Sequence, residues 1–309
     1  MKIGVLYGGT SSEVEVSRKS GKAIADGLRK MGDSVVELEW DEWKVIAEIE
    51  FLKQFDVVFI GYHGGAGEDG HIQAILEVAK IPFTGSGSVA SMLGMNKILS
   101  KIIFDRFEIP TADWCFIRSS QSKQDIEKTL STKCLKFPLV VKPAEQGSTV
   151  GVSIVNSDEE LFDGLKIAFQ YGDSALVEKY IPGREVTVSI FDDRPLPVIE
   201  IVPKDGFYDY EHKYTGGKSE YICPAEIRGN IAKKLQDVAM NAYRAIGCRH
   251  YARVDFRLSP QNEVFCLEVN TLPGMTGLSL VPMAAREAGI EFPELVHRIA
   301  EMASGNGYD

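Results

Sequence analysis

RVDFRLSPQNEVFCLEVNTLPGMTGLSL (253–280) holds Arg253, Asp255, Glu268 and Asn270 within one short stretch. Alternation of apolar and polar residues over 251–257 and 264–270 predicts two strands joined by the polar turn SPQNE. Pairing across that turn sets Arg253 opposite Asn270 and Asp255 opposite Glu268. All four then share one face, and Val254, Phe256, Leu267 and Val269 fill the other, apolar one. Two carboxylates and an amide side by side form a hard oxygen site suited to magnesium with substrate phosphates. The adjacent arginine can stabilise developing negative charge. Read alone, the same pattern is also a solvated strand face with a surface ion pair.

Working outward, 309 residues can bury more than one core, and two or three domains are expected. A net charge of −10 with no compensating basic stripe argues against a nucleic-acid surface, yet leaves room for a nucleotide held by local lysines and a metal. The five cysteines, with no C-x-x-C pair, read as reduced residues and not as a disulfide frame or zinc site. No apolar run approaches membrane-spanning length and MKIGVLYGG carries no long signal core, so a cytoplasmic protein is expected, without a membrane partner.

Residues 1–95 alternate strand and helix. KIGVLY, SVVEL, DVVFIGYHG and IPFTG read as strands, with helices over 14–31 and HIQAILEVA. This predicts an α/β block with a parallel sheet. Its turns YGGTSSE (7–13) and HGGAGEDG (63–70) follow strands, where open α/β sheets place ligands. The dinucleotide fingerprint G-x-G-x-x-G is missing, so no nicotinamide cofactor is indicated. Residues 96–180 and 181–309 mix strands and helices in α+β fashion, with a long glycine- and lysine-bearing loop at 204–220.

Each remaining motif has two readings. Lys142 followed by Gly147-Ser148-Thr149 can hold phosphates through backbone N–H groups, or be a hairpin turn with a surface lysine. Lys97, at the start of its helix, is a surface lysine unless it joins them. Glu178-Lys179-Tyr180-Ile181 with Glu185 can read an adenine edge and ribose hydroxyls, or simply end a strand. Lys213 and Tyr214 lie in a loop that is either a cover over a site or a surface connection. Ser279 before the VPMAAREAG helix can help bind a carboxylate or serve as an N-cap. His63 is either a site residue or a packed strand-end histidine.

Taken together, GGTSSEVEVS, HGGAGEDG, KPAEQGSTVGVS, FYDYEHKY and LEVNTLPGMT resemble, in order and spacing, the D-alanine–D-alanine ligase family of the ATP-grasp superfamily. The resemblance implies an ATP-grasp fold behind an N-terminal parallel-sheet domain. Its parts are a substrate-binding domain (1–95), a central subdomain (96–180) and a C-terminal subdomain with metal and substrate sites (181–309). It implies that ATP phosphorylates one D-alanine to an acyl phosphate, which the amine of a second D-alanine attacks, to supply peptidoglycan precursors. By matching position, Lys97, Lys142 and Lys213 would contact phosphates, and Gly147, Ser148, Thr149 and Val150 would close over them. Glu178 to Ile181 and Glu185 would hold adenine and ribose, with Phe207 also at the ATP site. Asp255, Glu268 and Asn270 would bind two Mg2+ ions, with Mn2+ as a substitute and a monovalent cation such as K+ as an accessory. Glu13 would hold the first ammonium with Ser148 and Tyr214 as partners. Arg253 and the N–H of Gly274 would form the oxyanion site, and Ser279 and Leu280 would bind the second carboxylate. His63 falls at the substrate site. A homodimer is also implied.

Two departures stand out. HGGAGEDGH differs from commoner versions of its turn, and GMNKILSK has Asn96 where an aspartate often precedes the lysine. The Glu-x-Lys-Tyr of 211–214, altered in relatives that use D-lactate, is intact. Rival readings are an ATP-grasp ligase for another acceptor, a nucleotide-binding regulator without turnover, and a glycine-rich dinucleotide binder.

Overall fold

Strand β1 (Lys2–Gly8) is buried along almost its whole length, as a strand covered on both faces must be. It lies between β2 (Ser34–Trp40) and β3 (Val57–Ile60) in a parallel three-stranded sheet. The computed structural model describes residues 1–203 and 219–305 of the chain. Helix Val14–Lys30 packs its buried stripe of Ile24, Ala25 and Leu28 on this sheet. The approach is close because Gly21 has no side chain: a Cβ there would stand 2.2 Å from the Tyr7 ring. The expected strand IPFTG is reduced to one parallel bridge, Val58 to Phe83.

The second sheet is antiparallel, in the order β4 (Trp114–Arg118), β7 (Ser174–Lys179), β5 (Leu139–Pro143), β6 (Ser153–Val155). Helices Lys123–Thr132 and Asp158–Ala168 cover it, each N-capped by a serine, Ser122 and Ser157. Neither these helices nor β4 was expected from the sequence pattern.

The third sheet runs β11 (Ser219–Ile222), β10 (Ile199–Pro203), β8 (Arg184–Phe191), β12 (Tyr251–Leu258), β13 (Val264–Asn270), with the short β9 (Arg194–Pro195) beside β8. Helix Gly229–Ile246 packs on one face. The sheets follow chain order, but the helices do not. Phe104 of helix Lys97–Arg106 is buried in the core of the third sheet. Helices Leu280–Glu287 and Phe292–Gly305 return to the first core, where Val281, Ala284, Val296 and Ile299 are fully buried.

The β12–β13 register holds both expected pairs, Arg253 with Asn270 and Asp255 with Glu268. It does so through a bulge. Nearer the turn Phe256 pairs with Cys266, so Leu267 is an extra residue opposite Asp255. The expectation that Leu267 fills the apolar face is therefore corrected. Cys266 occupies that core position, and Leu267 turns toward the same side as Glu268, into a cleft.

Candidate active site

The second and third sheets face each other across a cleft enclosing roughly 960 Å³, including the part open to solvent. Val140, Ile201 and Leu267 contribute apolar wall, and charged side chains gather at two places.

The first is the cleft floor. Glu178, on β7, is buried with 3% of its surface exposed, so it is no solvated strand end. Lys142, next to last in β5, donates from Nζ to Glu178 Oε1 at 2.6 Å. Lys101 of helix Lys97–Arg106 lies 2.7 Å from Oε2. Burial alone would raise the Glu178 pKa, but the charges and hydrogen bonds of Lys101 and Lys142 outweigh it and lower it to about 2. For Lys101 burial is the larger influence and pulls its pKa down, opposed by Glu178. Lys101 also bonds the Thr111 hydroxyl, which donates to the Cys266 carbonyl at 2.7 Å and ties this floor to β13.

The second is the edge formed by β12 and β13. Arg253 donates from Nε and Nη2 to both oxygens of Asp255, each at 2.8 Å, and Thr187 Oγ1 donates to Asp255 Oδ1 at 2.7 Å. Glu268 Oε2 lies 3.4 Å from Lys97 Nζ. Lys97 is buried, and its Nζ also donates to the Gln146 carbonyl at 2.6 Å while its N–H donates to the Ala144 carbonyl at 2.8 Å. Asn96 caps the helix through Oδ1, and its Nδ2 donates to Glu145 at 2.6 Å, a bond that an aspartate could not make. Asn270 Oδ1 accepts from the Leu272 N–H at 3.0 Å.

Among the described residues no three of His, Cys, Asp or Glu converge as metal ligands. The oxygen set reaches three only with the Asn270 amide. Carboxylate and amide oxygens suit a hard cation such as magnesium or manganese and not a soft one. A divalent ion would exchange with the cations now paired to Asp255 and Glu268.

The loop from Lys142 to Val152 is shaped by Ser148 and Thr149, both left-handed at φ 51° and 64°. Such residues cost on the order of 1–3 kcal/mol each unless surrounding contacts hold them. Gly147, Ser148 and Thr149 line the cleft, whereas Val150 does not and closes a turn to the Gly147 carbonyl at 3.1 Å. Ser148 Oγ donates to Glu13 Oε1 at 2.8 Å, which joins the first turn of the chain to this loop.

Beyond Glu13 a second group gathers. His63 is buried, its Nε2 lies 2.8 Å from Ser20 Oγ, and its carbonyl accepts from Ser11 Oγ at 2.5 Å. A Cβ placed on Gly274 would stand 3.0 Å from Ser279 Oγ and 3.5 Å from His63 Cε1. Ser279 occupies the N-cap position of its helix without a side-chain cap bond; its Oγ accepts from the Thr276 N–H at 3.0 Å. The Leu280 side chain belongs to the first core.

Lys179, Tyr180, Ile181 and Glu185 line the cleft with Lys97, Lys142, Glu178, Arg253, Asp255 and Glu268. Phe207, Lys213 and Tyr214 lie outside the described residues. Sequence reading missed Lys101, Arg257 and Leu267. Lys101 is one helical turn from Lys97, on its face. Arg257 continues the Arg253–Asp255 face by alternation. Leu267 ends a four-residue apolar run, Val264–Leu267, that breaks strict alternation and marks a bulge.

Two antiparallel sheets facing each other across a cleft lined by lysines, arginines and carboxylates have the architecture of an ATP-grasp protein. Residues 103–301 match the family model described as D-ala D-ala ligase C-terminus, and residues 37–86 match the one for the N-terminus. The chain is similar to the D-alanine–D-alanine ligase of Syntrophotalea carbinolica, at 46% identity over 98% of this chain and 96% of the relative. It is also similar to that of Aquifex aeolicus, at 43% identity over 96% of this chain and 98% of the relative. A crystal structure of the Bacillus anthracis D-alanine–D-alanine ligase complexed with ATP superposes with TM-score 0.84 at 36% identity, covering 98% of this chain and 96% of that one. A D-Ala:D-Ser ligase from Enterococcus faecalis superposes with TM-score 0.83 at 26% identity, covering 98% and 99%. The chain belongs to the D-alanine–D-alanine ligase family.

Proposed function

We propose that this chain is an ATP-dependent ligase that joins two D-alanines into D-alanyl-D-alanine for peptidoglycan precursor synthesis. The observation that carries the reading is the Ser148–Glu13 hydrogen bond. It sets a carboxylate able to hold an ammonium beside the glycine-containing loop that lines the cleft.

A carboxylate is a poor acyl donor. One oxygen of the first D-alanine attacks the γ-phosphorus, the bond to ADP breaks, and the acyl phosphate that results carries a good leaving group. The unprotonated amine of the second D-alanine then attacks the carbonyl carbon. A tetrahedral intermediate forms, the amine gives up a proton, and phosphate departs.

In this reading Glu13 holds the first ammonium, with Ser148 fixed against it and Tyr214 as its further partner. Lys97, Lys142 and Lys213 neutralise phosphates, and Gly147 to Val150 close over the γ-phosphate. Glu178 to Ile181 read adenine, Glu185 holds ribose, and Phe207 completes the ATP site. Arg253, which pairs with Asp255 until a divalent ion takes that carboxylate, forms an oxyanion site with the Gly274 N–H. Ser279 and the backbone N–H of Leu280, at a helix N-terminus, bind the second carboxylate. His63 supports the turn beside them.

Asp255, Glu268 and Asn270 would hold two Mg2+ ions, replaceable by Mn2+, with K+ as an accessory ion. When bound, the divalent ions neutralise and align ATP phosphates. The same reading takes 1–95, 96–180 and 181–309 as three modules around one cleft, in a cytoplasmic homodimer. Among the described residues no helix is long and apolar enough to cross a membrane.

The test is phosphate release with ATP and magnesium in the presence of D-alanine, L-alanine, or D-alanine with D-serine or D-lactate, with products identified by mass. Phosphate matched by D-alanyl-D-alanine, and only with the D-isomer, supports the reading. A mixed dipeptide or depsipeptide as main product replaces the acceptor. Nucleotide binding without product defeats the ligase assignment.

A further inference from the structure

The connection between the second and third sheets, from Lys179 on β7 to Arg184 on β8, runs along the cleft and is held by one side chain from β12. Arg257 Nε donates to the Ile181 carbonyl at 3.1 Å, and Nη2 donates to the Gly183 carbonyl at 2.8 Å. Its Nη1 lies 3.6 Å from Glu185 Oε2. Arg257 and Glu185 are register partners across β12 and β8, so their side chains emerge on the same face. Both line the cleft, and both side chains are mostly shielded, at 17% and 18% exposure. The planar guanidinium thus spends its fork on two carbonyls and turns a third nitrogen to the carboxylate, a geometry that lysine cannot reproduce.

The connection has no room to settle elsewhere. Gly183 sits at φ 125°, and a Cβ there would come within 2.1 Å of the Leu258 carbonyl, next in chain to Arg257. The backbone of 181–183 is therefore pressed on β12, and Arg257 fixes its two carbonyls. The carboxylate that follows cannot swing without losing the same guanidinium.

We propose that Arg257 is a positioning residue for the sugar of the nucleotide: it fixes the connection between the two sheets and aims Glu185 at the ribose hydroxyls. This rests on the reading of Glu185 as the ribose contact. Arg257 itself touches the nucleotide through Glu185 and the connection, not as a reacting group.

The experiment compares ATP, 2′-deoxy-ATP and 3′-deoxy-ATP as substrates for the unmodified protein, Arg257→Met, Arg257→Lys and Glu185→Gln, with folding checked by circular dichroism. For Arg257→Met the expected loss falls on KM for ATP, about tenfold, with a smaller change in kcat. The KM ratio of deoxy-ATP to ATP should narrow toward that of Glu185→Gln. Arg257→Lys should keep part of the charge pairing and recover only part of the ratio. If Glu185→Gln narrows the ratio while folded Arg257→Met keeps the unmodified value, the positioning role is overturned and the ribose reading stands. If Glu185→Gln itself leaves the ratio unchanged, the ribose reading fails and takes the proposal with it. Should Arg257→Met not fold, Arg257→Lys decides: an unmodified ratio overturns the role, and a narrowed one supports it.

Discussion

One helix serves two carboxylates in opposite ways. Lys101 reaches Glu178 on the second sheet at 2.7 Å, and Lys97, one turn earlier, stands 3.4 Å from Glu268 on the third. Glu178 has a cation on each oxygen and a side chain only 4% exposed, whereas Glu268 has 28% of its side chain exposed. The first arrangement is an ion cluster already paired in the folded chain. The second is shielded by a cation at a distance from which it can be exchanged. Lys101 and Glu178 therefore set charge at the floor in advance, and Glu268 is the more accessible of the two carboxylates. Loss of Lys101, which is given no contact with substrate, should appear as a stability effect, and loss of Glu268 as a rate effect.

The sharpest way to break this contrast is Glu268→Gln. We expect turnover to fall by about a thousandfold, on the scale of removing a group that stabilises transition-state charge, with a thermal midpoint close to that of the unmodified protein. Near-normal phosphate release from the folded variant would remove Glu268 from the chemistry. Lys101→Met is the opposite case. It leaves the buried Glu178 carboxylate with Lys142 as its remaining cation, and denaturant unfolding should show a loss of about 3 kcal/mol. Adding Glu178→Gln to it should restore part of that loss, and strict additivity of the two changes would deny their coupling.

A pH series sharpens the same point. The Glu178 pKa is depressed from 4.5 to about 2 in the folded chain, so its contribution is fully present above about pH 4.5 and is lost as pH falls toward 2. The difference in unfolding free energy between the unmodified protein and Glu178→Gln should shrink across that interval. A difference that stays flat from pH 5 to 2 would contradict the buried ion cluster. The smallest effect expected is for Leu267→Ala, which trims the apolar wall beside Glu268. KM for ATP should rise severalfold, about the value of part of one buried side chain, while kcat changes little. An equal loss in kcat would place Leu267 with the edge chemistry instead.

Much of this was legible in the sequence because periodicity is local. The β12–β13 pairs Arg253–Asn270 and Asp255–Glu268 and the buried β1 follow from residues close in the chain. What escaped needed distant partners. Lys101 looks like any lysine on an amphipathic helix until Glu178 and Thr111 are brought to it. The place of the Leu280 side chain in the first core is equally hidden, because the last two helices return to cover a sheet formed at the start of the chain. The helices Lys123–Thr132 and Asp158–Ala168 are short and strongly charged, and their burial is supplied only by the second sheet.

The bulge at Leu267 also bears on how the cleft tolerates change in chain length. A strand in strict alternation offers one surface a side chain only at every second residue, roughly 6–7 Å apart. Here Leu267 and Glu268 present an apolar group and a charge on one surface from consecutive positions. Deleting Leu267 would leave Phe256 opposite Cys266 and Asp255 opposite Glu268 in regular pairing, so the hairpin could close without its extra residue. Such a shortened chain would keep its carboxylates in place and lose only the hydrocarbon beside them. A deletion at this position is then a milder change than a polar substitution one residue further on.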